Sequence, residues 1–187
     1  MLRLAFALFL APVLLALAPG GAPDAIDTPA AAQIDSACAG DVDQALHGAP
    51  RSFARVFGSF ADGRWHPLVA ATTQRIARDP NIYSEVAQAW QVDDSVVLVQ
   101  ISARSLELRA ESSYCFRRSG TLARVVESST GTEVRDDEAR YFDEGGTLVA
   151  RHSAFYALTP GALPTISPDF KPSTPTLYLS VHDLPFL

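Results

Sequence analysis

The chain has one lysine, Lys171, among fifteen basic residues, two cysteines, four histidines and no run of basic side chains. With a formal net charge of −6, this excludes nucleic acid as the main partner, because phosphate binding needs a clustered cationic surface. After residue 18 no apolar stretch approaches the roughly 20 residues that cross a bilayer, so no integral membrane span is expected in the mature chain. His47, His66, His152 and His182 lack metal-ligand spacing of the H-x-x-x-H kind, and His182-Asp183 on a strand would point to opposite faces. The acidic groups at 136–138 and at Asp143-Glu144 lack the D-x-D-x-D-G arrangement of a calcium loop. There is no G-x-S-x-G elbow, no S-x-x-K and no glycine-rich phosphate loop. No metal, no cofactor and no catalytic residue is therefore expected.

What is present begins with an address. Arg3 precedes an apolar run from Leu4 to Ala18, too short for a comfortable span and suited to a secretory signal. Ala16-Leu17-Ala18 is a processing motif followed by Pro19, an unfavourable neighbour. Ala30-Ala31-Ala32 is the preferred alternative, with Gln33 as the new N-terminus. The organisation expected is a signal peptide and spacer over 1–32, a single α+β domain over 33–159, and a Pro-rich arm with a C-terminal strand over 160–187. Export to a periplasmic or extracellular, oxidising space turns Cys38 and Cys115 into a disulfide pair. On the chain-entropy view that bond stabilises the fold by roughly 4 kcal/mol. A lipidated Cys38 fits less well, since acidic Asp35 stands where such signals want a small or apolar residue.

Helical spacing of Ile34, Cys38, Val42 and Ala45-Leu46, with Asp35 or Ser36 as N-cap and Gly48 as stop, predicts a short N-terminal helix. Phe53, Val56, Phe57 and Phe60 share one face of a possible second helix. Residues 66–92 read as helix or strand, with a strand over 82–92 favoured because "DDS" turns into "VVLVQISA". In "LELRAESSYCF" apolar and charged residues alternate, which places Cys115 on the charged face. A helix bridged to it must reach that face, and Glu107, Arg109, Glu111 and Arg117 suggest cross-strand ion pairs.

"YCFRRSGTL" at 114–122 is echoed 26 residues later by "RYFDEGGTL" at 140–148. Both read as hairpins with Gly120 and Gly146 in the left-handed region before the return strand. The fold expected is one or two short helices on an antiparallel meander of five or six strands. Two functions follow. The first is an exported, non-catalytic envelope protein that binds a small apolar ligand or another envelope protein; its apolar tip "LPFL" adds to a partner or packs on its own domain. The alternative is a small hydrolase with a cleft lined by Trp65, Trp90, Tyr141 and His152, which requires His152 beside a carboxylate.

Overall fold

Thr28 opens helix α1 (Pro29–Leu46): its hydroxyl accepts from the Ala31 amide at 3.2 Å, and Pro29 occupies the first turn, where its missing N–H costs nothing. The helix thus starts about two turns before the expected Asp35/Ser36 cap, because Ala30–Ala32 are strong helix formers. Ala30-Ala31-Ala32, where processing was expected, forms its first turn, and Ala31 is buried. The computed structural model describes residues 28–56, 63–68, 84–104, 109–131, 134–158 and 176–187. The signal-like segment, 69–83 and the Pro-rich stretch 159–175 lie outside the described residues, as do Phe57, Phe60, Leu106, Glu107 and Leu108.

The expected meander of five or six strands is, among the described residues, an antiparallel sheet of eight: β1 (Arg51–Val56), β2 (His66–Pro67), β3 (Ser84–Val92), β4 (Ser95–Arg104), β5 (Arg109–Phe116), β6 (Leu122–Thr130), β7 (Val134–Phe142) and β8 (Leu148–Ala157). Their order is β2-β1-β3-β4-β5-β6-β7-β8. Of the one or two helices expected, one α-helix among the described residues packs on it. Residues 51–56, expected as helical, form a strand because all six pair with β3, a gain that outweighs a helical stripe of aromatics. The strand reading holds over Ser84–Val92.

Three hairpins share one construction. Asp93 and Asp94, both at positive φ, make the tight β3–β4 turn, and Gly120 and Gly146 take positive φ in the other two, as expected. Just after each turn the ladder slips. Trp90 faces Leu98 while Gln91 faces Val96; Cys115 faces Arg124 while Phe116 faces Leu122; Tyr141 faces Ala150 while Phe142 faces Leu148. Val97, Ala123 and Val149 are therefore the extra residues of three β-bulges, which sharpen the twist at this end of the sheet.

The helix crosses the strands at that end. Ala45 sits on Trp90, Val97 and Leu98, Cys38 on Cys115 and Ala123, and Ala31 on Tyr141 and Ala150. An 18-residue helix is about 27 Å long and five strand spacings are about 24 Å, so α1 reaches from β3 to β8. Cys38 and Cys115 are joined in a disulfide, 77 residues apart, so the helix does reach the face that alternation assigned to Cys115. Asp35 adds polar anchors, accepting from Arg124 at 2.5 Å and from the Tyr141 hydroxyl at 3.1 Å.

Thr176–Leu187 lies across the opposite face. It forms a single bridge (Thr121 with Ser180) and a 3₁₀ turn over Val181–Asp183, where a strand was expected; Ser180 and Asp183 cap that turn reciprocally. The apolar tip is core: Leu184 and Phe186 are buried, with Phe186 on Phe53 and Trp65 at ring-centroid distances of 5.3 and 4.9 Å. Burying each is worth roughly 2 kcal/mol. Covered on both faces, the hairpin end of the sheet carries continuous apolar runs such as Val96–Val99, whereas beyond the helix β4 alternates through Gln100 and Ser102.

Candidate functional site

Ala30, Gln33, Ile34, Ala37 and Asp41 recur at helical spacing along one flank of α1, the flank that faces the hairpin turns. Between that flank and the turns of β5–β6 and β7–β8 lies a groove of about 320 Å³. Its floor is apolar: the Cys38–Cys115 bridge, Ala123, Phe116 and Val149. Its rim is charged, with Asp41, Arg117, Asp143 and Glu144.

Most of those charges are already paired. Arg117 donates to the carbonyls of Leu122 (2.7 Å), Phe142 (2.6 Å) and Asp143 (3.3 Å), tying the second hairpin to the third rather than forming the expected cross-strand ion pair. Arg118 binds Asp41 at 3.1 Å and Asp93 at 2.8 Å, tying the same turn to the helix and the first hairpin. Asp143 accepts from the Thr147 amide. Glu144 has no partner among the described residues. The doubled turn motif is therefore first a clamp, and the groove is the space it frames.

Val149 distinguishes this groove from ordinary surface. Its counterparts in the other two bulges, Val97 and Ala123, are 0% and 4% exposed beneath α1, while Val149 is 36% exposed in the groove floor. Leu148 beside it is also exposed, although its counterpart Leu122 is buried.

The opposite face carries a partly buried charge network. Arg140 bonds Glu127 at 2.5 Å and Glu138 lies 3.2 Å from it; Arg151 binds Glu138 at 2.7 Å. Burial pushes the carboxyl of Glu127 above its usual range despite Arg140, and burial with Glu138 and Asp137 nearby does the same to Asp136. Burial, reinforced by Glu127, raises the Tyr114 hydroxyl, which donates to the Thr176 carbonyl at 3.1 Å. These groups neutralise one another and tie the C-terminal segment down. Among the described residues no cluster of three His, Cys, Asp or Glu side chains has metal-binding geometry.

The four cleft candidates do not meet. Trp90 lies under α1 on Ala45, and Trp65 lies on the opposite face between Phe186 and the Arg55 guanidinium. Tyr141 and His152 do come together edge-to-face at 5.5 Å, but Tyr141 is four strands from Trp90, about 19 Å. His152 makes no hydrogen bond to a carboxylate among the described residues. The groove residues Ala30, Ile34, Ala37 and Val149 escaped sequence reading because none carries chemistry. One signal was available: the aliphatic pairs Val96-Val97, Leu122-Ala123 and Leu148-Val149 recur at the 26-residue interval that separates Arg117 from Asp143.

No helix of the described residues is long and apolar enough to cross a membrane, and the disulfide is compatible with an oxidising location. Comparison with protein-family models, with curated proteins and with solved structures finds no match to this chain.

Proposed function

We propose that this is an exported, disulfide-braced, non-catalytic envelope protein that holds a small apolar ligand in the groove between α1 and the hairpin turns. The observation that carries this reading is Val149, left open at a position whose two structural equivalents are sealed. The groove volume, about 320 Å³, lies at the small end of ligand pockets, and its lining is mainly apolar. Export rests on the Leu4–Ala18 run together with the disulfide. The floor is covalently braced through Cys38–Cys115 and the turns are clamped by two arginines, so the site is largely preorganised, which lowers the ordering cost of binding.

The test uses N-phenyl-1-naphthylamine, a neutral dye whose emission rises in apolar surroundings. Saturable enhancement is expected with the oxidised protein, weakened about tenfold or more by Val149→Glu, which places a charge on the groove floor at a surface-accessible position. Equal enhancement in the variant, or none in either protein, overturns the reading.

A further inference from the structure

Beyond the other flank of α1, on the same face of the sheet, lies a second depression of about 300 Å³ that involves no helix residue. The polar side chains that line it from this face are Gln88 on β3, Gln100 and Ser102 on β4, Glu111 and Ser113 on β5, and Ser128 on β6. The ladder fixes their arrangement. Gln88 faces Gln100, Gln100 faces Ser113 and Ser113 faces Val126, while one step away Val86 faces Ser102, Ser102 faces Glu111 and Glu111 faces Ser128. Facing residues in a ladder share a side, so these eight form two parallel rows across four strands. Ser102 and Ser113 make a low centre between the longer Gln100 and Glu111, with Gln88 and Val86 at the β3 edge and Val126 and Ser128 at the β6 edge. The footprint is about 14 Å across the strands by about 7 Å along them.

None of the six polar side chains makes a hydrogen bond to another described residue. Elsewhere on this face polar groups are engaged, as Asp35, Arg124 and Tyr141 show. We propose that this depression is a saccharide site, taking a neutral, polyhydroxylated ligand of about disaccharide size. Amides and hydroxyls both donate and accept, as do the vicinal hydroxyls of a sugar, and Glu111 adds an acceptor. Val86 and Val126 offer apolar contacts to the C–H faces of a pyranose. An apolar ligand is disfavoured, since it would strip water from six polar groups and replace none of their hydrogen bonds. The site is separate from the apolar groove, and the two proposals stand or fall independently.

The experiment is backbone amide shift mapping of the ¹⁵N-labelled full chain with maltose and with N,N′-diacetylchitobiose at millimolar concentration. Shifts are expected on β3–β6 around Gln88, Gln100, Ser113 and Ser128, and not at Ala37 or Val149. Ser113→Trp, which fills the low centre, is expected to abolish them while leaving naphthylamine binding intact. Gln100→Ala should weaken the sugar about tenfold, and it decides the matter if the tryptophan variant fails to fold. Absence of shifts with both sugars, shifts confined to the apolar groove, or shifts unchanged in both variants overturns the proposal.

Discussion

Ala123 and Val149 occupy the same bulge position in successive hairpins with nearly the same turn sequence, yet Ala123 is sealed under α1 and Val149 faces solvent. The difference lies in what crosses each hairpin. At Ala123 the disulfide pulls the middle of α1 onto the bulge. At the third hairpin the helix touches down on Ala150 and Tyr141, through Ala31, so Val149 is left beyond its edge. β8 is also the last strand of the sheet, with a neighbour on one side only among the described residues. Equal local sequences thus build equal hairpins, and the element laid over them decides which becomes core and which becomes site.

Removing the brace should have the largest effect. Reducing Cys38–Cys115, or replacing both cysteines by serine, is expected to lower stability by about 4 kcal/mol in denaturant titrations, and to loosen the groove floor. If stability is unchanged, α1 is held by its apolar contacts alone and the contrast between the hairpins has another origin. Next comes the direct comparison. Ala123→Glu buries an unpaired charge and should cost about 3 kcal/mol or more, while Val149→Glu should stay within about 0.5 kcal/mol. Similar losses at the two positions would mean that the third hairpin is also sealed in solution.

A chain beginning at Gln33 lacks the Thr28 cap and the buried Ala31 contact with Tyr141 and Ala150. It should be about 2 kcal/mol less stable than one beginning before Thr28, with the loss appearing first in amide exchange of α1 and β8. Arg117→Met removes the donors that join the second hairpin to the third and should cost about 1–2 kcal/mol. If amide exchange on Asp143 and Thr147 stays as slow as before, the clamp is dispensable.

The smallest effect is that of pH. Glu127 and Asp136 have carboxyls raised above their ordinary range near 4, so the folded state binds more protons than the unfolded state just above that range. Their contribution to stability is therefore fully present below the unfolded pKa and is lost as pH rises through the folded one. Melting temperature should fall modestly with rising pH in that window, and Glu127→Gln should flatten the slope. A slope unaltered by the substitution removes Glu127 from this account.

Much of the framework is legible in the residues themselves. The disulfide follows from two cysteines behind an export-like segment, the glycine turns from Gly120 and Gly146, and the β5 faces from alternation, because each depends on local conformation or on counting. The strand at Arg51–Val56 was not legible, since its partner is β3 and no local pattern records that pairing. The charged face of β5 gave no hint that its end lies under a helix; Cys115 alone pointed there. Long-range placement decided the rest: α1 laid across the hairpin ends, the tip Leu184–Phe186 folded back into the core, and one bulge of three left uncovered. Backbone preference is a property of short segments and is written in them. Exposure is a property of what lands on a surface from elsewhere in the chain, and only the assembled fold determines it.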